Sequence, residues 1–409
     1  MLFKKTKYLS SGSLSALAWK KFRRNKPGFI SLLFIGMIIV IAILGYLITP
    51  DNSPLANEQH LELGLKKPGF TVNMLRVHKN QSIKDQSLFE IMLFGKTPEY
   101  INIPIGQFRF SGNSIIVEEY SGEPGRPSST EKFGLADVIY PMAGDSTHYR
   151  EVNGYLIFRD IYGHQIRRTP DDLAIDLLTN NIEKTTFWLG TDRFGRDLLS
   201  ELIIGTRVSL SVGFISVFIS LVIGIFIGAL GGFFRGWIDN FVVWFINVIW
   251  SIPTLLLVIA ITFALGKGFW QVFVAVGLTM WVEVARVVRG QILSIREKEF
   301  VEAGTALGFT NFRIIFRHIL PNIMGIVIVI SAANFASAIL LEAGLSFLGI
   351  GVQPPMPSWG AMIKENYGYI ILDSAYLAII PGFAIMFLVL AFMLAGNALR
   401  DALDVRSVN

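Results

Sequence analysis

The sequence predicts an all-α polytopic membrane protein with six transmembrane helices and one inserted β-containing domain. Two observations predict this class. The 409 residues are 52% hydrophobic and only 16% charged, whereas soluble domains carry about 25% charged residues. The apolar residues form runs of roughly 20 residues, the length that crosses about 30 Å of hydrocarbon. A polar stretch from residue 51 to about 206 separates the first two runs and predicts the inserted domain.

Six apolar runs predict the six spans. Their approximate limits are 28–48, 208–233, 239–265, 268–288, 321–345 and 376–398. The first run is longer than the apolar core of a signal peptide and lacks a small-residue cleavage pattern, so we expect an uncleaved anchor. In the second run Gly224, Gly228 and Gly232 recur every four residues. This spacing lets helix backbones pack closely.

Basic residues predict the orientation of the spans. They flank the first span, the fourth and fifth spans, and the sixth: Lys4, Lys5, Lys7, Lys20, Lys21, Arg23, Arg24, Lys26, Arg286, Arg289, Arg296, Lys298, Arg313, Arg317, Arg400 and Arg406. With six spans these regions share one side, and the positive-inside rule makes it the cytoplasm. The flanks also explain the net charge of +5, so we expect no nucleic-acid partner. The loop 266–268, with Lys267, falls on the other side.

The pattern divides the chain into five segments. They are a cytoplasmic basic segment 1–27, a first transmembrane helix 28–50, an extracytoplasmic insertion domain 51–186, a membrane core 187–398 and a cytoplasmic tail 399–409. In the insertion, residues 107–110, 114–117 and 155–158 have the composition of strands, and 121–128 that of a turn. Pro104 interrupts the apolar positions around it, so we expect at most an edge strand there.

Other polar residues of the insertion predict no chemistry. His60, His78, His148 and His164 lack the spacing of a metal site, and we expect solvated histidines. The absence of Cys excludes disulfides and thiolate metal sites.

At the end of the insertion, Thr191 or Asp192 can cap a helix, and Asp192 with Arg196 has the spacing of an i,i+4 ion pair. We therefore expect an interfacial helix with a surface ion pair that leads into the second span.

Residues 302–322, between the fourth and fifth spans, have more order than a simple connection needs. Gly308 can take a positive φ and end a short helix that begins near Glu302. Thr310 or Asn311 can cap a second short helix, and Pro321 can start the fifth span. We therefore expect a partner to dock on this loop.

The loop also carries side chains suited to an interface. Phe309, Phe312 and Phe316 would be aromatic anchors if they are exposed, and Arg313 and Arg317 would form a charged rim. We expect the Glu302 carboxylate to cap a helix or to pair with a nearby arginine.

Several motifs resemble one known family. Glu302-Ala303, Gly308 and Leu320-Pro321 resemble the EAA loop of bacterial ABC importer permeases. That loop usually has a second Ala where this chain has Gly304, and often an apolar residue where it has His318. Six further stretches are similar to the C-type permeases of dipeptide and oligopeptide importers: 19–27, 190–197, 345–349, 351–355, 357–360 and 399–404. The resemblance covers 14–50 and 187–406 in order, but the insertion is far longer than the usual connection.

The resemblance implies a type I ABC importer permease fold in the inner membrane of a bacterium. It implies a sister permease subunit, two ATPase subunits, an extracytoplasmic solute-binding protein, and peptides or related small solutes as cargo. It makes loop 296–320 the site of coupling to the ATPase, with these residues: Glu302, Ala303, Gly304, Gly308, Phe309, Phe312, Arg313, Leu320 and Pro321.

The chain is not expected to be an enzyme. It has no GxxxxGK[ST] phosphate loop, so ATP and Mg²⁺ would bind to the partner ATPase subunits. We expect no cofactor and no metal in this chain.

Two other classes of protein remain as alternatives. An ion-coupled secondary transporter would need ionisable residues at mid-span, and a membrane sensor would bind its ligand on the insertion domain. Glu283 and Glu342 lie near predicted span ends, where we expect interface pairing. Solvated charges are expected at Lys364, Glu365 and Asp373, and interface anchors at Trp281 and Trp359.

Overall fold

The computed structural model describes residues 14–122, 128–143, 149–266 and 268–403. Several residues named above lie outside the described ranges: Lys4, Lys5, Lys7, His148, Lys267 and Arg406, together with 123–127 of the predicted turn.

The helices follow the apolar runs. They are α1 (Leu14–Arg24), α2 (Lys26–Ile48), α3 (Leu88–Phe94), α4 (Leu135–Ile139), α5 (Pro170–Asp176), α6 (Leu198–Phe234), α7 (Gly236–Trp250), α8 (Thr254–Leu265), α9 (Phe269–Arg296), α10 (Glu299–Ala306), α11 (Asn311–Arg313), α12 (Leu320–Phe347), α13 (Trp359–Asn366) and α14 (Tyr376–Leu403). The strands are β1 (Phe70–His78), β2 (Tyr100–Ser111), β3 (Ser114–Glu119), β4 (Thr130–Gly134), β5 (Arg150–Val152), β6 (Tyr155–Arg159), β7 (Gln165–Arg168) and β8 (Ile182–Phe187).

Within the described residues, five helices are long and apolar enough to cross a membrane, and a bent pair gives a sixth candidate. The five are Lys26–Ile48, Leu198–Phe234, Phe269–Arg296, Asn311–Phe347 and Tyr376–Leu403. The bent pair is α7 and α8, which meet at 89°. The predicted span over 239–265 thus corresponds to this bent pair, and the bend itself was not predicted. Pro253 lies at the break, where it removes an N–H and disfavours a helical residue before it.

The glycine row of α6 packs against α9. A Cβ at Gly228 would lie 2.5 Å from the carbonyl oxygen of Ala285, and one at Gly232 would lie 2.8 Å from that of Arg289. No real Cβ approaches so closely, so only glycine permits this contact. The predicted role of the four-residue spacing is confirmed.

Loop 296–320 and the described ends of the chain lie at one end of the helix bundle. Phe22 of α1 packs on Ala398 and Ala402 of α14, and Leu403 lies beside Gly325 of α12. We call this the loop end. The insertion, the start of α6 and α13 lie at the opposite end, which we call the domain end.

The insertion contains two antiparallel sheets. One has the strand order β4-β3-β2-β1-β8, and the other has the order β5-β6-β7. Leu75, Ile105, Val117 and Leu156 belong to its buried core. Its last strand ends at Phe187, one residue beyond the predicted boundary at 186.

The expectation of an edge strand around Pro104 is wrong, because β2 lies between β1 and β3. In a strand, the N–H and C=O of one residue point to the same side. The carbonyl of Pro104 accepts from the N–H of Tyr120, one residue past the end of β3. The side of Pro104 that lacks an N–H therefore faces the end of β3 and not β1. Its pairing with β1 is kept.

Candidate functional site

The loop between α9 and α12 forms a fixed reversal of the chain. Gly308 has φ +75°, its N–H donates to Thr305 O, and the Phe309 N–H donates to Gly304 O. This pair of bonds is a Schellman motif, which satisfies the last carbonyls of α10. The hydroxyl of Thr310 then accepts from the Arg313 N–H and caps the next helix. The predicted turn at Gly308 and cap at Thr310 are both present.

The second short helix and the start of the fifth span are not separate. Residues 311–347 form one helix that includes a π-helical stretch, Ile314–Ile319. Pro321 lies well inside it. Leu320 N–H bonds to Ile315 O across this wider turn, which makes room for a ring that would otherwise strike the preceding turn.

One face of the loop is buried against the ends of α6 and α9. Val301, Ile314 and Ile319 lie in a cluster with Phe233 of α6 and Ile292 of α9. This packing fixes the loop against the ends of the two helices.

Polar contacts reinforce the same junction. Arg296 donates to the carbonyl oxygen of Phe233, and its guanidinium lies 5.4 Å from the centre of the Phe233 ring. Arg289 binds Asp239 through two hydrogen bonds of 2.5 and 2.7 Å. These contacts tie α9 to α6 and α7, and sequence reasoning missed them because their partners are distant in the chain.

The other face of the loop is exposed. The exposed fractions of Phe312 and Phe316 are 70% and 51%, and their ring centres are 4.3 Å apart. Leu307, which sequence reasoning also missed, is 72% exposed beside Gly308. Phe309 is different, because it is half-buried and stacks on His318.

Gly304 and His318 occupy positions where the resembling family carries other residues. Gly304 is buried, and a Cβ there would lie 3.4 Å from Cδ2 of Phe309. That is an ordinary van der Waals contact, so the usual Ala would fit. The ring centre of His318 lies 5.6 Å from that of Phe309.

Glu302 and Ala303 are exposed on α10. In the part of the chain that the structure describes, no ion pair or hydrogen bond to the Glu302 carboxylate is found. The expectation that this carboxylate caps a helix or pairs with an arginine is therefore not met, and the group is free for a partner.

A second polar centre lies at the domain end. Arg196 binds Asp192 at 2.6 Å, Glu201 at 2.9 Å and Glu365 at 2.8 Å. Burial acts to lower the pKa of Arg196, but the carboxylates outweigh it and raise that pKa above its usual range. The predicted Asp192–Arg196 pair exists, although it is buried rather than at the surface.

Residues 190–197 do not form the expected interfacial helix. The carboxylate of Asp192 accepts from the N–H groups of Phe194 and Arg196, and this turns the chain back on itself. The helix cap is Asp197, whose side chain accepts from Ser200 N–H at the start of α6.

The inserted domain is joined to this centre. Thr191 Oγ1 donates to Leu63 O and accepts from Lys66 N–H. The Tyr376 hydroxyl donates to Lys66 O, which adds the start of α14 to the junction.

Several single-residue expectations are wrong. Glu365 is largely buried in its pair with Arg196, not solvated. Trp359 is buried and donates to Leu202 O, and Trp281 is buried beside Phe245. Glu342 is buried in α12, where its carboxylate accepts from the Ser346 hydroxyl instead of pairing at the membrane interface.

Of the remaining predictions for single residues, some are met and others are not. Asp373 and Lys364 are exposed as expected. His164 is exposed, but His60 is largely buried beside Glu58. Within the described residues no group of His, Cys, Asp or Glu could hold a metal ion.

Comparisons with known proteins identify the family. Residues 220–408 match the model of the binding-protein-dependent transport system inner membrane component. Residues 13–68 match that of the N-terminal TM domain of oligopeptide transport permease C.

Three curated relatives agree. The chain is 39% identical to the glutathione transport system permease protein GsiD of Pectobacterium atrosepticum, over 55% of this chain and 74% of the relative. It is 41% identical to the dipeptide transport system permease protein DppC of Alkalihalophilus pseudofirmus, over 53% and 71%. It is also 41% identical to the oligopeptide transport system permease protein OppC of Haemophilus influenzae, over 53% and 70%.

Among solved structures, a chain of the MetNI methionine ABC transporter in an inward-facing conformation aligns with 50% of this chain and 97% of its own length, at 22% identity and a TM-score of 0.43. The two family models match the first span and most of the membrane core, in chain order. The chain belongs to the family of binding-protein-dependent transport inner membrane components, the permease subunits of ABC importers.

Proposed function

We propose that this permease moves peptides across the cytoplasmic membrane and that an ATPase subunit docks on loop 296–320. The observation that carries the docking proposal is the two-sided loop. Leu307, Phe312 and Phe316 are exposed, whereas Val301 and Ile314 are buried against the membrane helices. A partner that binds the exposed face would transmit its movement to α6, α9 and α12 together.

Exposed aromatic side chains on a rigid frame suit a protein partner. Large apolar residues at a water-facing loop are rarely left uncovered, and aromatic residues dominate interface energies. Arg313 and Arg317 lie beside the Phe312–Phe316 pair and supply the charged rim. The family match, with no phosphate loop in the sequence, makes a separate ATPase the natural partner.

The orientation follows the basic residues. We place the loop end, with Lys20, Lys21, Arg23 and Arg24 of α1, in the cytoplasm. The inserted domain then lies outside the cell membrane, where a solute-binding protein would deliver its cargo.

The peptide cargo rests on the relatives, whose names specify glutathione, dipeptides and oligopeptides. The test is ATP-driven uptake by the full complex in liposomes, using glutathione, a dipeptide and an oligopeptide, with a sugar as the control solute. We expect uptake of at least one peptide and none of the sugar. Sugar uptake without peptide uptake would contradict the proposed cargo.

We also propose that the inserted domain contacts the solute-binding protein. Residues 70–187 can be removed without leaving a gap, because the two ends of this segment lie side by side. The Gly69 N–H donates to Phe187 O at 2.9 Å. A variant that joins residue 69 to residue 188 through a short Gly-Ser linker should insert and bind its ATPase normally. Its uptake should require more binding protein to reach the same rate. Full-rate uptake at the original concentration of binding protein would remove this role.

A further inference from the structure

The short helix α3 of the inserted domain has an apolar surface that the domain itself does not cover. Leu88, Phe89, Leu93 and Phe94 are 77%, 65%, 39% and 68% exposed, and no residue of α3 is buried. We call these four side chains the α3 patch. In a domain surrounded by water, four large apolar groups on seven residues would be an aggregation hazard.

The helix is well formed, so its exposure is not a matter of local unfolding. Ser87 and Glu90 make a capping box, in which the Ser87 hydroxyl accepts from Glu90 N–H and the Glu90 carboxylate accepts from Ser87 N–H at 2.8 Å. Glu90 is the only charged residue of α3, and the box holds it at the N-terminal turn. The other six residues are apolar.

The position of α3 shows what covers it. Its C-terminal end lies against the chain just after α2, because Lys96 N–H donates to Asn52 O at 2.8 Å. The next residues are held to the last turn of α2, where the Tyr46 hydroxyl accepts from Leu55 N–H. The helix α3 also contacts α2 itself. The α3 patch therefore lies at the level where the first span leaves the membrane.

The apolar surface continues from α2 onto α3. Leu47 and Ile48, at the domain end of α2, are exposed. Trp188 is also exposed and lines the same cleft as Pro50 and Asn52. Tryptophan concentrates at the level of lipid headgroups, so this side chain marks the same boundary from another part of the chain.

We propose that α3 lies in the headgroup region of the bilayer, with the α3 patch against lipid. Helices that lie in the membrane interface bury their apolar side chains at the boundary of headgroups and acyl chains, and binding strengthens with the apolar area buried. The contact would hold the inserted domain at a fixed height and angle beside the first span. This inference does not depend on the cargo or on ATPase docking.

The absence of Cys from the chain permits a direct test with single spin labels. Phe89→Cys and Phe94→Cys report on the α3 patch, in the full chain reconstituted in phosphatidylethanolamine–phosphatidylglycerol vesicles. Val152→Cys, exposed on β5 of the same domain, is the water-facing control, and Leu33→Cys, exposed in the first half of the apolar helix α2, is the lipid-facing control. Power saturation compares access by oxygen, which prefers lipid, with access by nickel(II)-EDDA, which prefers water.

We expect the oxygen-to-nickel ratio at both α3 positions to exceed that at Val152 by about threefold or more and to stay below that at Leu33, as an interfacial depth requires. A ratio equal to that at Val152 would overturn the proposal. Nickel access that is lost only after the other subunits are added would also overturn it, since a protein would then cover the patch.

A second measurement needs no substitution. The wild-type chain is placed in vesicles that contain a phospholipid with a photoreactive diazirine near its headgroup, and the adducts are mapped by mass spectrometry. We expect adducts on residues 88–94. Adducts on the ends of α2 without any on 88–94 would overturn the proposal.

Discussion

The ring of Phe309 stacks on the imidazole of His318, with centres 5.6 Å apart and planes 14° apart. The Arg313 guanidinium lies 4.0 Å from the centre of the same ring. Phe309 thus joins the turn after α10 to the helix that becomes the fifth span. Loop 296–320 keeps its shape through contacts within this chain, so its exposed face is formed before any partner binds.

The exposed aromatic pair should supply much of the ATPase affinity. We predict that Phe312→Ala with Phe316→Ala weakens binding of the ATPase subunit about a hundredfold or more, because truncating an aromatic anchor typically costs about 2 kcal/mol and about 1.4 kcal/mol is tenfold in affinity. The measurement is the dissociation constant of the ATPase for the permease in nanodiscs. Phe110→Ala, exposed on β2, is the control and should bind normally. Unchanged affinity in the double variant would exclude the pair from the interface.

The turn at Gly308 should be needed for coupling. Gly308 has φ +75° and open space around it, so a side chain there meets only backbone strain. That strain is about 1–2 kcal/mol, and more for a β-branched residue. We predict that Gly308→Val inserts normally but loses ATP-driven uptake in liposomes while the complex still hydrolyses ATP.

Gly290→Val is the matched control for this substitution. Gly290 also has open space around it, but it lies inside α9 without a positive φ. It should therefore keep its uptake. Full uptake by the Gly308 variant at normal expression would show that the turn has no such role.

Arg196 should be essential for stability. Arg196→Ala leaves Asp192, Glu201 and Glu365 without their cation, and breaking a buried ion pair from one side costs about 3–5 kcal/mol. We expect a large fall in the midpoint of thermal unfolding in detergent. Arg235→Ala removes an exposed pair with Glu297 and should change stability by less than about 1 kcal/mol. Equal effects of the two substitutions would contradict the buried network.

Asp197 should give stability a pH dependence. Burial raises the pKa of its carboxyl, hydrogen bonds from Ser200 oppose the rise, and the neighbouring Asp51 carboxylate adds to it. A raised folded-state pKa means that the folded chain binds the proton more tightly than the unfolded chain. Stability should then fall as the pH rises from about 3.9, the ordinary pKa of Asp, through the raised value.

Asp197→Asn tests this directly, because Asn is an equally good helix cap. At neutral pH the variant should unfold at a higher temperature than the wild type, and the difference should shrink as the pH falls toward 4. A variant that is less stable than the wild type at neutral pH would contradict the burial argument.

The sequence was sufficient where one local property decides the structure. Run length predicted the spans, the spacing of Gly224, Gly228 and Gly232 predicted a close helix contact, and glycine at position 308 predicted the turn. The bend at Pro253 was not predicted. Pro321 and Pro381 lie inside continuous helices, so the presence of a proline does not by itself decide where a span bends.

The rest depended on contacts between distant residues. Trp359 is buried because Gly205 leaves room for its indole, where a Cβ would lie 3.1 Å from Cδ1. Glu365 is largely buried because its carboxylate binds the buried guanidinium of Arg196. Pro104 lies in a central strand because β3 ends beside it. A single sequence does not pair such positions, so each of the three was assigned to the surface or to an edge.

The most direct test of the central claim is photo-cross-linking from the loop. Ala303 is exposed on α10, and because the chain has no Cys, Ala303→Cys accepts a single benzophenone maleimide. In the assembled complex we predict an adduct with the ATPase subunit from this position, and none from Val152→Cys on the inserted domain. An ATPase that co-purifies with the labelled permease but forms no adduct from position 303 would contradict docking on this loop.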